Sequence, residues 1–279
     1  MLTVILASVS SYIEQLGSAV SKDVMDARDL NVDVWSSAML SLLFGSLFVF
    51  AGLLVNFGLS GVSLDPGYIW TFFPRIALEM LQLYVTYTAL KIADLSTFGF
   101  IRIITIVLVV ALEFVFMGVL LRPLQYLGII IVMASIFAIF RSGKSNSAGW
   151  KFALMSAVNG ALLITLTRFQ FNHINPFLNE SIVRVVCLII LLVIVLFTGK
   201  ARKTLPKKIL WLVPFRSLAG LLNLLALNFG NASIYATVER GGSVVSAVLV
   251  GHNYFKEKSF REKLVISLVI FSGIVLLLA

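Results

Sequence analysis

Charge is scarce in this chain. Only 13% of its 279 residues are Asp, Glu, Lys or Arg, against about a quarter in soluble domains. That level excludes a water-soluble shell of ordinary polarity. Cysteine is nearly absent too: the single Cys187 lies in the apolar run Val185-Val186-Cys187-Leu188, so no internal disulfide is possible. No Gly-rich phosphate loop, no HExxH and no nucleophile elbow occurs, which removes the commonest enzyme signatures. His173 and His252 have no metal-ligand partner at usable spacing. No catalytic residue, metal or cofactor is therefore expected. Acid is scarcer than base, 13 residues against 22, leaving a formal charge of +9. Those bases sit at the ends of apolar runs rather than on an aromatic-laced polar face. That pattern argues against nucleic acid and for anchoring to anionic lipid.

What the chain does have is apolar length. Hydrophobic residues make up 59% of it, and the mean hydropathy is +1.02. The runs do not alternate, so they predict helices rather than a barrel, with lipid as the solvent. Spans are expected near residues 2–22, 35–55, 71–91, 96–118, 122–140, 149–170, 178–198, 207–228, 232–254 and 261–279. No cleavable signal peptide is evident: the first stretch lacks a basic start and contains Glu14, so it reads as the first span. Trp35, Trp70, Trp150 and Trp211 fall near span ends, as an aromatic belt requires. The fold class is all-α, a polytopic membrane protein of ten transmembrane helices, expected in the plasma (inner) membrane.

The second half echoes the first. The segment 142–149 is polar and small, and it divides the chain into residues 1–141 and 150–279. Ala89-Leu90-Lys91-Ile92-Ala93-Asp94-Leu95-Ser96 aligns with Ala226-Leu227-Asn228-Phe229-Gly230-Asn231-Ala232-Ser233. Ala7 and Lys22 align with Ala153 and Arg168. Five crossings return a chain on the opposite face, so the second unit is inserted upside down. Inverted repeats of this kind enclose a midplane site and rock about it.

Charge inside a span costs about 2.5–3.5 kcal/mol even on the lenient scale. The residues that bear this cost are the candidate substrate-binding groups: Glu14, Glu79, Arg102, Arg184, Arg216, Glu239 and Arg240. Arg75 and Glu79 are four apart and are expected to pair along one helix face. Glu79, Gln82 and Thr86 continue as a polar stripe toward the interior. Arg102 and Glu113 fall nearly on one face of the fourth span, and Glu239 aligns with Arg102 across the repeat. Arg184 and Arg216 are read as having no acid one turn away. Each is expected to draw a partner from another helix, from carbonyls or from an anionic ligand; snorkelling beside Lys207 and Lys208 is the alternative for Arg216. Glu14 is the candidate for coupling to a proton. Arginines at least match the carboxylates, which favours a carboxylate- or phosphate-bearing substrate over a cationic drug. Gly241, Gly242, Ser243, Ser246 and Ala247 read as close-packing positions.

The whole chain resembles the drug/metabolite transporter superfamily, in its EamA-like ten-helix branch. Each half there closes with a hairpin reading roughly Gly-Glu, a short turn with Ser or Thr, a Gln, then Gly. Glu257 and Ser259 match in the second half, with Lys256 in place of the Gly and Lys263 in place of the Gln. Gly118, Gln125 and Gly128 match in the first half, with Val119 in place of the Glu. The basic residues Lys22 and Arg168, and Arg184 in the seventh span, also resemble the family. The resemblance implies a secondary transporter with a small-molecule substrate, the bilayer as partner and a possible coupling proton or ion. It also implies that both chain ends are cytoplasmic. The charge distribution implies the reverse, because most Lys and Arg lie at the joints between spans 1–2, 3–4, 5–6, 7–8 and 9–10. An exporter of amphiphilic drugs, an intramembrane lipid-modifying enzyme and a structural membrane subunit are the alternatives. Clustered aspartates for a metal are lacking outside the polar segment Asp23, Asp26, Asp29, Asp33, which disfavours the enzyme.

Overall fold

The computed structural model describes residues 2–26, 38–39, 42–43, 46, 65–118, 122–141, 149–197, 212–229, 232–257 and 259–278. Among the described residues the chain is helical with no strand. The elements are α1 (Leu2–Asp26), α2 (Phe72–Ile92), α3 (Leu95–Arg102), α4 (Ile104–Met117), α5 (Pro123–Arg141), α6 (Trp150–Phe171), α7 (Pro176–Phe197), α8 (Leu212–Phe229), α9 (Ala232–Phe255) and α10 (Phe260–Leu278). A single 3-10 turn, Pro66–Thr71, leads into α2, with Asp65 accepting from the Gly67 amide. These helices coincide with nine of the ten expected spans. The span expected at 35–55 falls almost wholly outside the described residues, as do Trp35 and Trp211.

One expected span carries an irregular turn. The fourth, expected over 96–118, runs as one apolar helical stretch over Leu95–Phe116, and α3 and α4 abut at Ile103, whose backbone stays right-handed helical at φ −61, ψ −28. There the ladder tightens to i→i+3 bonding: the Ile103 amide donates to the Phe100 carbonyl at 3.3 Å, and the Ile106 amide to the Ile103 carbonyl at 2.9 Å. Thr105, one step on, donates to the Ala157 carbonyl of α6. Neither Pro nor Gly marks this turn in the sequence.

The surface is apolar and the interior holds charge. Phe73, Phe116 and Phe197 are fully exposed, whereas Arg75, Arg102, Glu239 and Arg240 are buried. Three stretches, Leu95–Phe116, Trp150–Phe171 and Pro176–Phe197, are long and apolar enough to cross a membrane. Of the Pro176–Phe197 stretch only 33% is buried, so its outer surface suits lipid.

Packing follows a simple rule of exchange. α1 packs on α8 and α9, while α6 packs on α2 and on the α3–α4 pair. α5 packs on α10, and α9 on α3 and α4. Small residues permit the tightest approaches. A Cβ built at Gly99 would stand 3.1 Å from Ala247, and one at Gly242 would stand 3.3 Å from the Ser11 Cβ. Gly242 and Ala247 thus serve as the close-packing positions expected in α9. Gly149, which opens the second half at φ +81, lies against Ala93, so a side chain there would meet both strain and backbone.

Candidate functional site

Two adjoining cavities of about 210 and 240 Å³ lie between the halves. Both are bordered by Glu14, Glu79, Gln82 and Arg102 from the first half and by Arg184 and Asn223 from the second. Glu239 and Arg240 join the wall of the first. Six of the seven candidate residues therefore border one hollow. The seventh, Arg216, lies on α8, and its side chain is outside the described residues.

The charges form two clusters. In the outer one, Glu180 holds two arginines: its Oε2 is 3.1 Å from Arg75 Nη2, and its Oε1 is 2.8 Å from Arg184 Nη2. Arg184 Nε adds a further bond at 3.0 Å. This overturns two expectations. Arg75 pairs across helices with Glu180 rather than along α2 with Glu79. Arg184 has its acid one turn earlier on its own helix. Glu180 was passed over although its i,i+4 spacing to Arg184 is the ordinary signal of a helical ion pair. It sits one turn after Pro176, where the apolar run has barely begun. Arg75 Nε and Nη1 remain buried without a hydrogen-bond partner.

The inner cluster is looser. Arg102 Nη1 stands 3.9 Å from Glu14 Oε1, and its guanidinium lies 5.1 Å from the centre of the Phe98 ring. Asn223 donates to Glu14 Oε2 at 3.4 Å. Arg240 Nη1 pairs with its neighbour Glu239 at 2.9 Å, leaving Glu239 Oε2 and Arg240 Nε without hydrogen bonds. Arg102 and Glu239, aligned across the repeat, border the same hollow with opposite charge.

The polar stripe of α2 turns inward as expected. Gln82 donates to Ser156 at 2.9 Å and accepts from Asn159 at 2.9 Å, and Thr86 lies 3.1 Å from Ser156. Glu79 differs from its neighbours. It borders both cavities and makes no hydrogen bond or ion pair with the described residues. Four carboxylates and four arginines line the first cavity, so its formal charge balances and arginines match the carboxylates among its lining residues.

Other singled-out residues lie elsewhere. Glu113 does not face Arg102; its Oε2 accepts from the Ser233 amide at 3.2 Å, at the start of α9. His173 stacks on Tyr68 at 3.6 Å, and His252 on Phe260 at 4.2 Å. Cys187 is buried. Among the described residues no group of three His, Cys, Asp or Glu side chains is placed to hold a metal.

No protein-family model matches the chain, and no curated protein does. Solved structures do: 27 chains match. One of them is a crystal structure similar at TM-score 0.72 and 16% identity, covering 98% of each chain. At that identity the likeness shows a shared fold, over the full length of both chains, and nothing about activity.

Proposed function

We propose that the chain is a multi-pass secondary transporter in the plasma membrane, moving a small polar metabolite by alternating access. We further propose that it is a ten-helix EamA-like member of the drug/metabolite transporter superfamily. The observation that carries this reading is the charge-lined hollow between the halves. A scaffold has no reason to bear the cost of eight ionisable side chains around an empty space. The exchange of packing partners supports two inverted five-helix units: α1 against α8 and α9 is the counterpart of α6 against α2 and α3–α4. Lys22 and Arg168, aligned across the repeat, support it further. Lys22 donates to the Leu90 carbonyl and Arg168 to the Leu227 carbonyl, and these two leucines are themselves aligned.

The balance of charge points to a polar solute of small net charge rather than a simple anion. Arg102, loosely held, is placed to meet an acidic group, and Glu79 a basic one. The two adjoining spaces, about 210 and 240 Å³, suit a small molecule.

Thermal-shift screening of the purified protein against small polar metabolites tests this reading. A ligand at a hundred times its Kd adds about 2.7 kcal/mol of stability. A hit is then reconstituted in vesicles and its uptake measured. A library that stabilises nothing, together with vesicles that take up no polar solute, would defeat the proposal.

A further inference from the structure

The two ends of the hollow are fastened by matched devices of unequal strength. At one end lies the hairpin between α2 and α3. Lys22 Nζ donates to the Leu90 carbonyl at 3.4 Å and to the Ala93 carbonyl at 2.5 Å, holding the carbonyl end of α2. Glu257 takes the amide end of α3. Its Oε1 accepts from the Leu95 amide at 2.9 Å, and its Oε2 accepts from the Ser96 hydroxyl and from Lys263 Nζ, the latter at 3.0 Å. Lys263 also donates to Ser96 at 2.7 Å. The cluster is buried, with side-chain exposures of 7% for Glu257 and 11% for Lys263.

Backbone geometry aims that carboxylate. α9 ends in a left-handed cap: the Lys256 amide bonds the His252 carbonyl, and the Glu257 amide reaches back to the Gly251 carbonyl. Lys256 occupies the left-handed position, at φ +54. The carboxylate then folds back over Gly251, where a Cβ would stand 2.8 Å from its carboxyl carbon. A glycine at 251 leaves room for the fastening.

The opposite end repeats the plan with less. Arg168 Nη1 holds the Leu227 and Asn228 carbonyls of α8 at 3.3 and 3.2 Å. Gly118 ends α4 in the left-handed conformation, at φ +68, as Lys256 ends α9. The next residue, however, is Val119 rather than a glutamate. The carboxylate on the α9 amide end comes instead from Glu113, inside α4, through one bond among the described residues, at 3.2 Å. The first cavity reaches Phe171, Leu227 and Tyr235 at this end. Neither cavity is bordered by Lys22, Ser96, Glu257 or Lys263.

We infer that Glu257 and Glu113 are reciprocal end-locks between the halves, and that their inequality sets the resting state, shut at the Glu257 end and accessible from the Glu113 end. Each carboxylate belongs to one half and grips the first turn of a helix in the other. Rocking the halves apart at one end must break one grip. This inference rests on the transporter reading, but its test needs no substrate.

The test uses full-length protein in oriented vesicles, with Cys187→Ser and Thr86→Cys, which places a thiol on the cavity wall. A membrane-impermeant maleimide is applied from each side in turn. The parent should label faster from the Glu113 side. Glu257→Gln should raise labelling from the Glu257 side by about tenfold or more, the effect of weakening a charge-assisted bond. Ser96→Ala and Gly251→Ala should raise it less, and they serve if Glu257→Gln does not fold. Glu113→Gln should slow labelling from the Glu257 side or leave it unchanged, and never raise it. Folded Glu257→Gln and Ser96→Ala proteins that both label as the parent does would overturn the inference. That result would leave the transporter reading intact, whereas loss of uptake alone would strike the reading and not the locks.

Discussion

The two charge clusters in the hollow carry similar residues to different ends. In the outer one, Glu180 contacts Arg75 and Arg184 at 3.1 and 2.8 Å. Its charge is fully committed, and it joins α2 to α7. In the inner one, the contact between Arg102 and Glu14 stretches to 3.9 Å, and the ion pair of Glu239 is with its sequence neighbour Arg240 rather than with another helix. A tight buried pair fixes structure, because removing either partner strands the other charge. A slack one can exchange its partner for a ligand at small cost. We therefore read the outer cluster as a structural tie and the inner one as the proposed place of solute contact.

Three substitutions sharpen or break this contrast. The largest effect is expected from Glu180→Gln, which strands two buried arginines and should lower stability by about 3–5 kcal/mol. Thermal unfolding in detergent measures it; a change below about 0.5 kcal/mol, the size of an ordinary surface substitution, would make the outer cluster no tie at all. Next comes Arg102→Ala. It should weaken ligand-induced stabilisation and uptake by about tenfold or more, as expected for a lost hydrogen bond to a charged group. Its unfolding temperature should fall less than that of Glu180→Gln; equal losses would erase the distinction between the clusters. The smallest structural effect belongs to Glu79→Gln, whose carboxylate makes no hydrogen bond or ion pair among the described residues. Stability should stay within about 0.5 kcal/mol of the parent. Binding of solutes with a basic group should fall while binding of neutral polar solutes persists. Equal loss for both kinds would remove Glu79 from the contact.

The sequence told much of this and missed parts for physical reasons. Helix positions were legible because apolar runs bounded by polar or Gly/Pro residues leave little choice of register, as α2 at Phe72–Ile92 and α9 at Ala232–Phe255 illustrate. The residues that border the hollow were legible because a charge within an apolar run has few places to go. Partnership was not. Arg75 and Glu79 share a helix face, yet Arg75 turns to a carboxylate on another helix, a distance no spacing rule can supply. The pairing of Glu180 with Arg184 was available from spacing alone. The tightened turn at Ile103 carries no residue signal, since neither Pro nor Gly stands there. Lys256 shows the converse. It stands where the resemblance has Gly, and the left-handed backbone there supplies the physical reason for that preference.

The tightened turn at Ile103 sets α3 off as the first eight residues of this helical stretch. The first turn of α3 is gripped by Glu257, and its last residue, Arg102, stands in the hollow. Eight residues of stiff helix thus connect the Glu257 grip at one tip to Arg102, the proposed solute contact, at the other. Under the proposed transporter reading, pulling on Arg102 from within is mechanically a tug on Ser96, so a bound solute and the Glu257 grip would need no relay of side chains to sense each other.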